Sequence, residues 1–298
     1  MRAFFLTVFC LLSVTVTTPA PAFAEIGVAQ FETHIAGDAT TVWYPLGADR
    51  ALPVAAVLPG ADVKREYYGR FATELAGYGF VVVIPEHYPV PFVDRSLASE
   101  YSLTDIAAWA HAQPGDPSSP VRTVVDPETL VAAGHSFGGA TALYAAANRC
   151  QLPFCFGVSY RHPPELRAIV GHGTNTTIGA SVDPVRVNDI PTMLINGTLD
   201  GVSEPVEAYD TFTRLTGAPT AAFVRLVGAN HFGLVDQNNP PGAAPDLHES
   251  TMPRDQSVHA AARWTALWFR AQLGDAEARE CIDRAAAGSD PTVTIELR

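Results

Sequence analysis

The sequence predicts an α/β fold, in which a mostly parallel, doubly wound sheet carries helices on both faces. Short apolar and β-branched runs alternate along the chain with segments of helical periodicity, the pattern of repeated strand–helix–strand units. Residues 80–84 are apolar throughout, as expected of a strand that is buried on both faces of such a sheet. Both observations favour a sheet covered by helices over an exposed antiparallel one.

The elements follow in order from residue 42. Unbroken apolar runs predict strands, and apolar residues three and four positions apart predict helices. The predicted strands are residues 42–44, 54–58, 80–84, 130–133, 166–170, 192–195 and 222–227. The predicted helices are residues 67–75, 103–112, 140–148 and 256–273. Residues 236–253 are rich in Pro, Gly and Asn and are expected to form a loop.

Composition limits the classes of partner. The chain has 298 residues, 47% of them hydrophobic, and a formal net charge of -12. An acidic chain is poorly suited to nucleic acid or to anionic membranes. The length suits one domain, expected over residues 25–298, with a core large enough to support a cleft. We expect a monomer that acts on a small-molecule or polymeric substrate.

The first 24 residues have the pattern of an export signal. Arg2 precedes a short apolar run over residues 4–16, and Ala22, Phe23 and Ala24 fit the small-x-small cleavage rule. The run is too short to span a bilayer, and no later stretch reaches that length. The sequence therefore predicts a secreted or periplasmic protein without a transmembrane anchor.

Three cysteines remain after the predicted cleavage. Cys150 and Cys155 could close a small loop, and Cys281 is a rival partner for either. In an oxidising compartment a disulfide is expected, but the sequence leaves the pairing open. The spacing of these cysteines with histidines matches no zinc pattern, so we expect no metal.

A candidate nucleophile lies in residues 134–139, which read Gly-His-Ser-Phe-Gly-Gly. This G-x-S-x-G pattern follows the predicted strand at 130–133 and precedes the predicted helix at 140–148. In that context a sharp strand-to-helix turn exposes the serine above the sheet, and the helix N-terminus faces developing negative charge. Ser136 is therefore the predicted nucleophile. The alternative is a Gly-rich turn with an incidental serine.

A serine hydroxyl needs a base to accept its proton and an acid to orient that base. On this fold the order along the chain is Ser, then Asp or Glu, then His. His231 follows the predicted strand at 222–227 and is the expected base. His248 and His259 lie further on and are expected at the surface, and His135 is expected to point away into the turn.

The acid is expected at Asp200, which ends the run that begins with the buried strand at 192–195. Asp183 and Asp189 precede that strand and so lie at its wrong end. Glu204, one turn further on, is the close rival. The structural alternative for Asp200 is a simple turn-forming role.

Two backbone N–H groups should bind the oxyanion of a tetrahedral intermediate. Phe137 follows the nucleophile directly and Ala61 follows the Pro59-Gly60 turn, so these two are the expected donors. Phe232 and Tyr88 are expected to line an apolar substrate pocket. Phe92 is a further candidate, and all three could instead be core or lid residues. No cofactor is expected.

These residues resemble the α/β-hydrolase superfamily, and within it the chlorophyllase-like and polyester hydrolase (cutinase-like) branch. The resemblance rests on residues 58–60, 76–83, 134–139, 197–200, 229–233 and 238–242. Residues 134–141 are also similar to platelet-activating-factor acetylhydrolases, whose acid lies sooner after the nucleophile. The resemblance implies an α/β-hydrolase fold and a serine carboxylic-ester hydrolase that acts through an acyl-enzyme. Acyl transfer on the same residues and a non-catalytic binding module are the alternatives.

Overall fold

A computed structural model of the chain describes residues 27–87, 89–90, 94–151 and 159–298. Its strands are β1 Val28–Ile35, β2 Asp38–Pro45, β3 Leu52–Leu58, β4 Val81–Pro85, β5 Pro89–Val90, β6 Arg95–Ser96, β7 Val125–His135, β8 Leu166–His172, β9 Thr177–Ile178, β10 Ser181–Val182, β11 Thr192–Gly197, β12 Ala221–Leu226 and β13 Val293–Leu297. Its α-helices are α1 Gly69–Gly77, α2 Tyr101–Ala112, α3 Phe137–Ala146, α4 Pro205–Arg214, α5 Arg254–Gln272 and α6 Ala276–Ala286.

The described strands build one large mixed sheet and two small two-stranded ones. The large sheet has nine strands in the order β1-β2-β4-β3-β7-β8-β11-β12-β13. The six strands from β4 to β12 in that order pair in parallel, whereas β1, β2 and β13 pair antiparallel at the two edges. The predicted fold class, a mostly parallel doubly wound sheet, is confirmed.

Helices cover both faces of the sheet. One apolar cluster joins the sheet to α1, α5 and α6 through residues such as Phe71, Trp264 and Ile282. The other joins the opposite face to α2, α3 and α4 through residues such as Leu103, Leu143 and Phe212. Because the central strands are covered on both sides, every residue of β4 is buried. This arrangement leaves only the ends of the strands free to carry a site.

The edge strands were not predicted from the sequence. β1 alternates exposed and partly buried residues and pairs with β2 through a two-residue turn at Ala36 and Gly37, both of which have positive φ. Positive φ at both positions is the geometry that matches the twist of a tight hairpin. The last strand, β13, pairs antiparallel with β12 and closes the other edge.

The nucleophile region differs slightly from the prediction. β7 continues to His135, and α3 begins at Phe137, so a single residue separates strand from helix. The turn at Ser136 is therefore sharper than the predicted boundaries imply. From Gly138 onward every residue of α3 is buried, which explains why this helix consists mainly of Ala, Gly and Leu.

Two further predictions concern the membrane and the cysteines. Among the described residues no helix is both long and apolar enough to cross a bilayer. Cys281 has a free thiol, so the alternative in which Cys281 forms a disulfide with Cys150 or Cys155 was wrong. Cys155 and the predicted export signal lie outside the described residues, and the pairing of Cys155 with Cys150 stays a prediction.

Candidate active site

Ser136 occupies a strained turn at the carboxyl edge of the sheet. Its backbone has φ 52° and ψ -118°, a conformation that residues with a side chain rarely adopt. The turn is held by hydrogen bonds: the Ser136 N–H donates to the His172 carbonyl at 2.7 Å, and the Thr174 hydroxyl donates to the Ser136 carbonyl at 3.1 Å. The strain presents the half-buried Ser136 side chain at the N-terminus of α3.

Two glycines make this turn possible. A Cβ at Gly134 would lie 2.2 Å from the Gly138 carbonyl oxygen, and a Cβ at Gly138 would lie 2.2 Å from the Leu58 carbonyl oxygen. Both distances are far shorter than van der Waals contact, and both neighbours are backbone atoms that cannot rotate away. The glycines of G-x-S-x-G are therefore required by packing, since the turn lies directly against the end of β3.

Asp200 and His231 lie together behind this turn. They follow β11 and β12, which are adjacent parallel strands whose carboxyl ends reach the same edge. His231 Nδ1 lies 2.9 Å from Asp200 Oδ2, and the exposed fractions of the two residues are 4% and 1%. The predicted base and acid thus form a buried pair in which the carboxylate can orient the imidazole.

The Asp200 carboxylate has four hydrogen-bond donors. Its Oδ1 accepts the Val202 and Ser203 N–H groups at 3.0 and 2.7 Å. Its Oδ2 accepts the Asn196 side-chain amide at 3.1 Å in addition to the His231 ring. Glu204, the rival acid, is exposed to solvent, and the pair is formed without it.

Gly173 lies between the Ser136 turn and the Asp200–His231 pair. It follows His172, whose carbonyl accepts the Ser136 N–H. A Cβ at Gly173 would lie 2.9 Å from His231 Nδ1 and 3.0 Å from Asp200 Oδ2. Among the described residues no hydrogen bond joins the Ser136 hydroxyl to the His231 ring. Such a bond is often long before substrate is bound.

The predicted oxyanion donors flank Ser136. A Cβ at Gly60 would lie 3.3 Å from Ser136 Cβ, so the turn that carries Ala61 lies against Ser136. Phe137 is the first residue of α3, and its N–H has no intrahelical acceptor. Within the described residues neither the Ala61 nor the Phe137 N–H donates to another backbone group. Both groups are free to bind developing negative charge.

A buried hydrogen-bonded path, which the sequence did not predict, connects these parts. The Gly60 N–H donates to the Tyr68 hydroxyl, which lies 2.9 Å from His135 Nδ1. His135 Nε2 lies 3.1 Å from the His231 carbonyl oxygen. A carbonyl only accepts, so His135 Nε2 carries the proton and Nδ1 accepts from Tyr68. His135 was wrongly expected to point away; it joins the turn of Gly60 to the backbone of His231.

Two buried histidines near the site are neutral. Burial, together with the neighbouring His231, lowers the pKa of His135 well below its ordinary value. Burial also lowers the pKa of His172 to about 3. His172 Nε2 donates to the Thr265 hydroxyl at 2.8 Å, because that hydroxyl itself donates to the Ala261 carbonyl. These rings serve as fixed neutral donors and not as proton carriers.

The depressed pKa of His172 predicts an acid-sensitive fold. Since the unfolded chain binds a proton near pH 6.5 and the folded chain does not, the free energy of unfolding should fall as pH drops from 6.5 towards 3. The loss is about 1.4 kcal/mol per pH unit for one such group. Urea titrations between pH 7 and 4.5 should show a shallower pH dependence for His172→Gln. The same dependence in wild type and His172→Gln would contradict this, and exposed His34→Gln is the control.

Of the residues predicted to line a substrate pocket, the structure describes only Phe232. Phe232 is 1% exposed and packs its ring against those of His135 and His231. It belongs to the apolar core beside His231, and its role in substrate binding stays a prediction. Tyr88 and Phe92 lie outside the described residues. Within the described residues no group of three or more His, Cys, Asp or Glu side chains could hold a metal ion.

Comparisons with known proteins identify the family to which the chain is similar. A family model described as PETase, PET hydrolase-like, matches residues 24–243. Cutinase 2 of Thermobifida cellulosilytica is 25% identical over 193 residues, which is 64% of each chain. Cutinase cut1 of Thermobifida fusca is also 25% identical over 193 residues, 64% of this chain and 53% of the relative. The match thus spans somewhat over half the length of these relatives.

Proposed function

We propose that this chain, which belongs to the PET hydrolase-like family, is a secreted serine hydrolase that cleaves carboxylic esters through an acyl-enzyme on Ser136. His231 is the general base and Asp200 the acid that orients it. The observation that carries the proposal is the strained Ser136 turn beside a buried Asp200–His231 pair. A merely structural serine would have no need of a conformation that costs about 1–3 kcal/mol.

The proposed reaction has two halves. In the first, Ser136 Oγ attacks the ester carbonyl carbon while its proton passes to His231 Nε2. The tetrahedral oxyanion accepts hydrogen bonds from the backbone N–H groups of Ala61 and Phe137. Collapse breaks the bond to the alcohol, which leaves with the proton from His231. In the second half water attacks the acyl-enzyme while His231 takes its proton. The bond to Ser136 Oγ then breaks, Oγ regains the proton from His231, and the carboxylic acid leaves.

Asp200 assists both halves by charge and orientation. Its carboxylate accepts the Nδ1–H of His231, which leaves Nε2 as the only ring atom able to take the serine proton. The imidazolium formed in each half is stabilised by the buried carboxylate, because few water molecules screen the two charges. The neutral His135 beside this ring does not compete for the proton.

A polyester is the first substrate class to test. The matching family is described as PET hydrolase-like, and the relatives are named cutinases. The predicted export signal supports action outside the cytoplasm, where the enzyme would have access to a polymeric substrate. Expression of the full chain in a bacterium, followed by N-terminal sequencing of the exported protein, would test for cleavage before Glu25.

Two measurements test the proposed function. We expect turnover of p-nitrophenyl esters, with polyester film, triglyceride and chlorophyll as further arms that define the substrate. We also expect a fluorophosphonate to label the protein once, on the peptide that carries Ser136. Absence of labelling, or labelling of another serine, would refute the assignment. Added alcohol would reveal acyl transfer as a second product.

A further inference from the structure

Asp246 is a buried carboxylate close to the site that the proposed reaction does not use. It lies in the segment between β12 and α5, and only 4% of its surface is exposed. Its hydrogen-bond partners are the backbone N–H groups of His231, Gly201 and His248, at 2.9, 3.2 and 2.8 Å. No salt bridge reaches it from any described residue. Every one of these partners donates, so the Asp246 carboxylate is the acceptor in all three hydrogen bonds.

Two of these partners belong to the turns that carry the base and its acid. Oδ2 of Asp246 accepts from His231 itself and from Gly201, which directly follows Asp200. One oxygen atom thus bridges the ends of β11 and β12. The Asp200–His231 contact depends on how these two turns lie relative to each other, so this bridge fixes the geometry of the pair.

The loop that carries Asp246 is itself held in place. The Asn239 side chain and the Asp246 backbone exchange two hydrogen bonds, at 2.8 and 3.1 Å. The Asn230 side chain donates to Asn238 and to the His248 carbonyl, at 2.9 and 3.0 Å. The predicted loop is therefore tied on both sides of Asp246 to the residue that precedes His231. A polar segment with this many internal bonds holds its carboxylate in a defined position.

The charges around His231 give Asp246 an electrostatic effect as well. Asp200 faces the ring at Nδ1, while the rings of His135 and His172 nearby are neutral. The Arg254 guanidinium donates to the Phe232 carbonyl, on the residue after His231. His248 is exposed. Asp246 is thus a second negative charge near the base, partly offset by Arg254.

Building on the proposed function, we propose that Asp246 is a positioning residue that locks the Asp200 and His231 turns together and whose charge favours the protonated His231 formed during catalysis. A carboxylate that accepts the N–H of the base's own residue acts through the backbone and needs no contact with substrate. A negative charge in a region with little water stabilises a nearby cation.

Asp246→Asn tests this role. The amide oxygen can still accept from His231 and Gly201, so these two bonds are kept while the charge is lost. The amide NH₂ group faces the His248 N–H, so only the bond to His248 is lost. We expect kcat on a p-nitrophenyl ester to fall about tenfold and the acidic limb of the kcat/KM profile to move about one pH unit lower. The limb moves down because the imidazolium loses a favourable charge and gives up its proton more readily.

Asp236→Asn is the matched control. Asp236 belongs to the same loop, but its carboxylate accepts the Arg70 N–H at the start of α1. The same substitution there should leave the acidic limb unchanged. An Asp246→Asn enzyme that is active with an unshifted limb would overturn the proposal, because a purely structural residue predicts that result.

Two further measurements test the role of Asp246 independently. If Asp246→Asn does not fold, Asn239→Ala loosens the loop without changing its charge, and we expect kcat to fall about threefold; unchanged kcat and pH profile would overturn the proposal. An NMR titration of the His231 ring in wild type and variant needs no substrate. It can support or refute the role of Asp246 even if ester turnover, and with it the proposed function, fails.

Discussion

Replacing Ser136 with alanine should lower kcat for ester hydrolysis by about 10⁶-fold. The reaction would lose the oxygen that forms the acyl-enzyme, and water cannot replace an atom held above α3 at the correct distance. The fold should remain, because alanine keeps the same backbone and the Ser136 hydroxyl makes no side-chain capping bond. Initial rates on p-nitrophenyl esters, together with thermal melting curves, measure both effects.

The controls for Ser136→Ala separate chemistry from folding. Ser181, an exposed serine of β10, should tolerate alanine without loss of rate. Substrate binding to Ser136→Ala should persist, since the neighbouring backbone donors are unchanged. A variant that melts like wild type and retains its turnover would refute the central assignment.

Replacing Asp200 with asparagine should reduce kcat about 10³- to 10⁴-fold, because the imidazole would take the wrong tautomer. Two backbone N–H groups surround Oδ1 of Asp200, so the amide oxygen of the variant must occupy that position. Its NH₂ group then faces His231 Nδ1, which has to become an acceptor. The proton moves to Nε2, the atom that should receive the proton of Ser136.

Glu204→Gln is the matched control for Asp200→Asn. It removes the charge of the rival carboxylate, which is exposed and follows the same strand, and we expect near-normal kcat. Stopped-flow measurement of the acylation burst would show whether the first half-reaction is the slow one in Asp200→Asn. A large loss in Glu204→Gln with a small one in Asp200→Asn would transfer the acid role to Glu204.

The fold class could be predicted because the central strands carry strong signals. Residues 80–84 were predicted as a buried strand, and β4 occupies Val81–Pro85. The edges could not be predicted in the same way. β1 and β13 carry polar residues on their open sides, so neither forms an apolar run. α4 and α6 were missed for a similar reason, since each buries only a narrow stripe of three residues.

In the candidate site, too, some residues carry a signal in the sequence and others carry none. Ser136 is recognisable from a local pattern, and Asp200 and His231 from their order along the chain; their catalytic roles stay predictions. Tyr68, His135 and Asp246 carry no local signal. Their contacts join residues that are 67, 96 and 15 positions apart, and neither a motif nor the order of residues along the chain indicates that these residues meet. The burial of Phe232 was not predicted either, because a loop position next to His231 does not reveal how deeply the side chain lies.

The path from Gly60 through Tyr68 and His135 to His231 has a consequence for protein engineering. An apolar residue at position 135 would leave the Tyr68 hydroxyl without an acceptor, and phenylalanine at position 68 would leave the Gly60 N–H unpaired. Tolerated changes at the two positions should therefore occur together. A mutant library intended to reshape the cleft should randomise Tyr68 and His135 as a pair or leave both untouched, because single changes would mostly sample disabled enzymes.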